Sequence, residues 1–247
     1  MKEFIIVIPA RLQSTRLPEK PLILIKGKSI IQRTYEQCLK AVKKELIYIA
    51  TDSIRIYDHC KALNMNVLMT SKDVLTGTDR VCEVAEQIEA KYYINVQGDE
   101  PVFNPDDIKV VLRKLDSIKD ESTIINGYTS IKNFSEYNSV SVPKVVFKPN
   151  GELLYMSRSP IPGNKSSKFI KAWRQVCIYA FPNEALKNFS KIKKTPLEEQ
   201  EDIEILRFLE LGYKVNMIEL SSQSIPVDHP EDVLKVEKFL NENLNAE

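Results

Sequence analysis

The sequence predicts one α/β domain, spanning residues 1–247, built on a mostly parallel β-sheet flanked by helices. Residues 4–8 form a continuous apolar run rich in β-branched side chains, which is typical of a central parallel strand covered on both faces. Over the first 115 residues, strand patterns and helix patterns alternate. This alternation favours parallel strands joined by right-handed crossovers, and 247 residues suffice for one large core.

The predicted elements follow from hydrophobic periodicity and from Gly, Pro and Asn turns. In the first half we expect strands at residues 4–8, 46–51, 66–69 and 92–96, and helices at 29–43, 53–63, 79–90 and 105–115. The β-rich region from about 120 to 182 contains predicted strands at 122–129, 144–147, 153–157 and 176–181. Helices at 183–188 and 197–211, a strand at 213–219 and a helix after Asp228 complete the chain.

Composition excludes several function classes. Lys and Arg number 35 against 34 acidic residues, so the net charge of +1 provides no global field for a nucleic acid or a membrane surface. The four cysteines are scattered without metal-site spacing, which predicts buried free thiols in a reducing cytoplasm. No apolar run approaches the length of a membrane span, and we expect a cytoplasmic protein.

A cationic loop follows the first predicted strand. Pro18 and Pro21 disfavour a helix here, so Arg11, Arg16 and Lys20 are placed on irregular backbone beyond the carboxyl end of a strand, where open α/β sheets bind ligands. The forked guanidinium group of Arg and the compact ammonium group of Lys both suit the phosphates of a nucleoside triphosphate. The alternative is an ordinary solvated basic loop, and the loop carries neither a Walker motif nor a G-x-G-x-x-G motif.

Two aspartates complete the candidate site. Asp99 follows the apolar strand at 92–96, and Asp228 precedes the last helix. Carboxylates beside a triphosphate loop are suitable ligands for Mg²⁺, which prefers carboxylate and phosphate oxygens. The alternatives are a turn residue for Asp99 and a helix cap for Asp228. Together with the loop, the two residues indicate a metal-assisted nucleotidyl-transfer site.

Six motifs give the chain its resemblance to a known family. They are PARLQSTRLPEKPL at 9–22, TGTDR at 76–80, NVQGDEP at 95–101, SRSPIP at 157–162, IYA at 178–180 and VDHPED at 227–232. In this order and over nearly the whole chain, they resemble 3-deoxy-manno-octulosonate (Kdo) cytidylyltransferases, the CMP-Kdo synthetases. The resemblance implies a Rossmann-like nucleotidyltransferase fold, often a homodimer, whose β-rich region is expected to serve dimerisation and sugar binding. It also implies transfer of CMP from CTP to an acidic 3-deoxy-2-ulosonic sugar for lipopolysaccharide-type glycans, with release of pyrophosphate.

The resemblance also implies roles for individual residues. Those implied to bind CTP are Pro9, Ala10, Arg11, Ser14, Arg16, Lys20, Thr78, Arg80 and Asp99. The implied catalytic residues are Lys20, Asp99 and Arg11, and the implied Mg²⁺ ligands are Asp99 and Asp228. The residues implied to contact the sugar are Gln97, Arg158, Gln175, Tyr179 and Glu204.

Three departures from the family pattern fall on the sugar side. Gln175 replaces a usual His, Ile205 replaces a usual Gln, and Gly163 replaces a usual aromatic residue. One hypothesis is a changed sugar such as 8-amino-8-deoxy-Kdo, because a few pocket changes can redirect specificity. The other is neutral drift with Kdo retained. Two further functions stay open: activation of a nine-carbon sialic-type acid, and a non-catalytic CTP-binding regulator.

Overall fold

A computed structural model describes residues 1–13, 16–74, 76–166 and 168–244. Within these ranges the strands are β1 Lys2–Ala10, β2 Leu24–Ile25, β3 Lys28–Ser29, β4 Ile47–Thr51, β5 Val67–Met69, β6 Ala90–Val96, β7 Ile124–Ser130, β8 Lys144–Phe147, β9 Leu153–Ser157, β10 Trp173–Pro182 and β11 Val215–Glu219. The α-helices are α1 Ile30–Leu39, α2 Ile54–Ala62, α3 Gly77–Gln87, α4 Asp106–Ser117, α5 Phe134–Asn138, α6 Asn183–Ser190, α7 Pro196–Glu201, α8 Ile205–Glu210 and α9 Pro230–Leu244.

One mixed sheet organises the protein, in the strand order β11-β7-β10-β6-β1-β4-β5. The strands β6, β1, β4 and β5 run parallel to one another, and β10 pairs antiparallel with both β6 and β7. The hairpin β8–β9 joins the same sheet through β10. The predicted Rossmann-like α/β fold is therefore confirmed, and the β-rich region contributes strands to the central sheet.

Two apolar cores lie on opposite faces of this sheet, and β1 contributes to both. Ile5 and Val7 belong to the core that includes residues of α3, α6 and α8, whereas Ile6 and Ile8 belong to the core that includes residues of α1, α2 and α4. The alternation follows from the two-residue period of a strand. All four side chains are fully buried, as the continuous apolar run predicts.

The predicted helix at 197–211 is wrong in one respect, because the structure divides it into α7 and α8. Asp202 adopts the left-handed conformation, with φ 50° and ψ 49°, and ends α7. The short helix α5 was not predicted; its cap is Asn133, whose side chain accepts the N–H of Glu136 at 2.9 Å. The break at Asp202 matters for function, because it brings the start of α8 to the edge of the sheet described below.

Two observations concern the other predictions from composition. Cys38, Cys60 and Cys82 are buried free thiols, and Cys177 is a half-buried one. Over the described ranges, none of the helices combines the length and the apolar character that crossing a bilayer requires.

Candidate active site

A cavity of about 340 Å³ opens at the carboxyl ends of the parallel strands β1 and β6. This is the edge where open α/β sheets bind their ligands. Its described lining residues are Pro9, Ala10, Arg11, Gln13, Arg16, Lys20, Pro21, Val74, Thr76, Gly77, Arg80, Gln97, Gly98, Asp99, Lys194, Asp202, Glu204 and Asp228. The lining is rich in charge of both signs, which suits a polar and highly charged ligand.

Gly98 sets the distance between the two strand ends. A Cβ at this position would lie 2.6 Å from the carbonyl oxygen of Pro9 and 3.3 Å from Ile31 Cδ1. Real side chains do not approach a backbone oxygen so closely. Glycine therefore lets the segment that carries Asp99 pass directly against the end of β1.

We expect Gly98→Ala to destabilise the fold by about 1–3 kcal/mol and to lower turnover, because the backbone must move to admit the methyl group. Chemical denaturation and initial rates measure the two effects. Gly163→Ala is the matched control, since among the described residues a Cβ at Gly163 has no atom within 4 Å and Gly163 is not part of the cavity lining. Equal behaviour of the two variants would contradict the close-approach argument.

Lys20 lies between the two predicted metal ligands. Its Nζ donates to Asp99 Oδ2 at 2.6 Å and to Asp228 Oδ1 at 3.1 Å. Burial on its own lowers the pKa of Lys20, but the charges and hydrogen bonds of the two aspartates outweigh it, so the pKa is raised. Arg16 also donates to Asp228 Oδ1, at 3.0 Å. Two residues of the cationic loop therefore meet two carboxylates that are 79 and 208 positions distant from Lys20 along the chain.

Backbone contacts hold the two carboxylate segments together. The N–H of Val227 donates to the carbonyl of Asp99 at 2.9 Å. At the start of α9, Asp232 Oδ2 accepts the N–H groups of Asp228 and His229. Asp232 thus fixes the backbone that leads into α9, while the side chain of Asp228 accepts hydrogen bonds from Arg16 and Lys20.

Glu204 forms the opposite wall of the cavity. It accepts the N–H groups of Gly77 at 3.2 Å and Thr78 at 2.8 Å, at the beginning of α3. Burial raises the pKa of Glu204, although the hydrogen bonds from Thr78 and Gly77 oppose this effect. Both a helix N-terminus and these donors favour a carboxylate. Glu204 therefore fixes the position of α3 relative to α8.

The structure brings most of the predicted site residues into the cavity lining. These are Pro9, Ala10, Arg11, Arg16, Lys20, Arg80, Gln97, Asp99, Glu204 and Asp228. Thr78, Arg158, Gln175 and Tyr179 are not among the described lining residues. Ser14 lies outside the described residues. Thr78 is buried directly behind the lining residue Gly77, and Tyr179 is buried against Phe181 with 5.5 Å between ring centroids.

Arg158 and Gln175 make structural contacts. The guanidinium of Arg158 donates to the carbonyls of Glu201, Val140 and Asp202 at 2.5, 2.9 and 2.9 Å. The amide of Gln175 donates to Asn126 Oδ1 at 2.9 Å inside the protein. Their predicted contacts with the sugar stay predictions.

Lys194 and Asp202 line the cavity and were not predicted from the sequence. Lys194 Nζ lies 3.1 Å from Asp202 Oδ1. In the sequence they are ordinary charged residues before and after α7, and nothing in their spacing indicates a site. The left-handed conformation of Asp202 has only a weak signal in the sequence, which is that Asp tolerates this conformation better than most residues.

The fold and the site together define an enzyme of the nucleotide-binding, group-transfer class: a cationic loop and two convergent carboxylates at the strand ends of an α/β sheet. The sequence profile described as cytidylyltransferase matches residues 5–218. A solved structure described as CMP:2-keto-3-deoxy-manno-octonic acid synthetase complexed with CTP is 34% identical, with a TM-score of 0.91, covering 98% of this chain and all of the other.

Curated relatives agree with this profile. A 3-deoxy-manno-octulosonate cytidylyltransferase from Protochlamydia amoebophila is 39% identical over 243 residues, covering 95% of this chain and 93% of that protein. The one from Escherichia coli is 34% identical over 246 residues, covering 99% and 98%. The chain belongs to the 3-deoxy-manno-octulosonate cytidylyltransferase family.

Proposed function

We propose that this protein transfers CMP from CTP to the anomeric hydroxyl of a 3-deoxy-2-ulosonic acid of the Kdo type and releases pyrophosphate. The observation that carries the proposal is the convergence of Lys20, Asp99 and Asp228 in a cavity at the ends of β1 and β6. The relative solved with CTP supports it, because it matches this chain over its whole length. A non-catalytic CTP sensor would have no evident need for this arrangement of charges.

The chemistry requires positioning and charge neutralisation more than covalent catalysis. The sugar hydroxyl attacks the α-phosphorus in line, and pyrophosphate leaves on the opposite side. Arg11 and Arg16 on the loop after β1 supply donors for the phosphates, and Lys20 neutralises charge that develops on the α-phosphate. Pro9 and Ala10, the last residues of β1, line the cavity, and we assign them to the border of the base.

Asp99 and Asp228 fit a divalent cation. Both carboxylates already reach one cationic group, Lys20 Nζ, so an ion near this position would have two carboxylate oxygens within reach. Mg²⁺ takes one or two carboxylates together with substrate phosphates and water, and the pair Asp99 and Asp228 meets this requirement. Bound there, Mg²⁺ would neutralise phosphate charge during transfer.

The identity of the sugar is the finer part of the proposal. Ile205 is buried in the core, Gln175 bonds Asn126, and Gly163 has open space around it. These three departures therefore lie outside the described lining, which leaves neutral drift with Kdo as a full alternative to 8-amino-8-deoxy-Kdo.

The homodimer expected from the resemblance also stays a proposal; exposed apolar side chains near the β-rich region, including Val140 and Ile170, support it.

Pyrophosphate release with CTP and Mg²⁺ tests the reaction. We expect release with Kdo or 8-amino-8-deoxy-Kdo and none with N-acetylneuraminate. Competition between the two octulosonates at limiting enzyme then gives the ratio of their kcat/KM values. Release with N-acetylneuraminate alone would favour the sialic-type alternative, and CTP binding without release from any sugar would favour the regulator.

A further inference from the structure

We infer that Asp202 is a specificity-determining residue that binds a cationic amino substituent on the sugar, and that Lys194 occupies the place that this amine would take. The inference rests on the proposed function and names the side chain that recognises a substituent of the sugar. It starts from the four carboxylates that line the cavity, which are Asp99, Asp202, Glu204 and Asp228.

Three of these carboxylates already have fixed partners. Lys20 bridges Asp99 and Asp228, and Arg16 adds a second contact to Asp228. Glu204 is held by two backbone N–H groups of α3. Asp202 differs, because its side chain is 75% exposed and Oδ1 is contacted by the flexible side chain of Lys194. Among the described lining residues, Asp202 is thus the carboxylate most available to a ligand.

The backbone of Asp202 is held firmly although its side chain is exposed. Its N–H donates to the carbonyl of Glu198 at 2.8 Å, and its own carbonyl accepts Nη2 of Arg158 at 2.9 Å. Asp202 Oδ2 also lies 3.9 Å from that Nη2. Arg158 is itself anchored to Glu201, because its backbone N–H donates to Glu201 Oε2 at 2.8 Å and its Nε donates to the Glu201 carbonyl at 2.5 Å. The result is a carboxylate on a fixed turn, which is what selective recognition requires.

Lys194 indicates the chemistry of the ligand. Its ammonium sits 3.1 Å from Asp202 Oδ1, so the site already accommodates a primary ammonium group at hydrogen-bond distance. An ion pair to so exposed a carboxylate is weak and exchangeable. A substrate ammonium would replace Lys194 without changing the local charge, whereas a neutral hydroxyl would have to compete with the ion pair. The geometry therefore favours an amino-bearing ulosonic acid such as 8-amino-8-deoxy-Kdo.

The test compares kcat/KM for 8-amino-8-deoxy-Kdo and for Kdo, measured by pyrophosphate release. We expect the wild-type enzyme to prefer the amino sugar. Asp202→Asn should lower kcat/KM for the amino sugar by about fivefold more than kcat/KM for Kdo, which is the upper value for an ion pair to so exposed a carboxylate. Asn tolerates the left-handed conformation, so the turn is preserved.

Lys194→Met provides a second test, in which binding of the amino sugar should improve. If Lys194 only occupies the place of the amine, its removal should lower KM for the amino sugar, by up to about fivefold, because a competing ion pair is lost. Matched controls are the exposed neighbours Glu199→Gln and Lys193→Met, which do not line the cavity and should leave both sugars unaffected.

Several results would overturn the inference. A wild-type preference for Kdo would do so, as would an unchanged sugar ratio in Asp202→Asn. A rise in KM for both sugars in Lys194→Met would assign Lys194 to the sugar carboxylate instead. In each of these cases the enzyme still releases pyrophosphate and the proposed reaction stands. Absence of release from either sugar by the wild-type enzyme would overturn the proposed reaction and this assignment together.

Discussion

Replacing Lys20 by Met is expected to lower kcat by about 10²- to 10³-fold, the cost of removing one preorganised group that stabilises transition-state charge. Lys20 is only 16% exposed and reaches both Asp99 and Asp228. Its cationic form is favoured by these carboxylates, which raise its pKa. In the proposed reaction the α-phosphate would therefore meet a fixed charge in a largely water-excluded position, where electrostatic effects are strongest.

Single-turnover rates with saturating CTP measure this loss, and circular dichroism checks that the fold is retained. Lys28→Met is the matched control, because Lys28 pairs with Glu36 on the surface and lies outside the cavity. Asp99→Asn should lose turnover to a similar extent. The double variant Lys20→Met/Asp99→Asn is the contrary case. If it were more active than either single variant, the role of Lys20 would be limited to neutralising the charge of the Asp99 carboxylate.

Part of the cavity lining could be predicted from the sequence because it lies at strand ends. A continuous apolar run followed by Pro9 places the loop with Arg16 and Lys20 at the carboxyl end of β1, and Asp99 follows β6 in the same way. Since β1 and β6 are adjacent and parallel, their ends meet at the same edge. Asp228 was harder to assign, because a helix cap gives the same pattern; the contact with Lys20 is a tertiary one.

The opposite wall of the cavity could not be predicted for a different reason. Its shape depends on the left-handed turn at Asp202, which interrupts an apolar pattern that by periodicity alone continues from α7 into α8. Lys194, which precedes α7, lines the same wall beside Asp202. The position of Arg158, whose guanidinium donates to three backbone carbonyls, likewise depends on tertiary contacts and has no counterpart in local sequence.

The helix pair α7–α8 is stabilised by a buried ion pair between Arg207 and Glu198. Arg207 Nε and Nη2 donate to Glu198 Oε2 and Oε1 at 2.5 and 2.7 Å, and the two side chains are 2% and 1% exposed. Arg207 also lies over the ring of Phe189, with Cζ 3.6 Å from the centroid. A further contact, 3.4 Å to Asp79, joins this pair to α3.

Arg207→Met is expected to lower the free energy of unfolding by about 3–5 kcal/mol, because it leaves the Glu198 carboxylate buried without its counterion. For a chain of this size the corresponding fall in Tm is about 6–20 °C. Thermal and urea denaturation measure both values. Removing both charges, in Arg207→Met/Glu198→Leu, should cost less than the single change, since no unpaired charge then remains.

The exposed pair Lys238–Glu242 offers the matched control for this prediction. Its side chains are 78% and 64% exposed and 3.9 Å apart, so Lys238→Met should change stability by less than about 0.5 kcal/mol. A double variant as unstable as Arg207→Met would mean that packing of the guanidinium on Phe189, and not the paired charge, stabilises this wall. Because Asp202 and Glu204 lie between α7 and α8, that result would also mean that this packing positions the cavity wall that contains them.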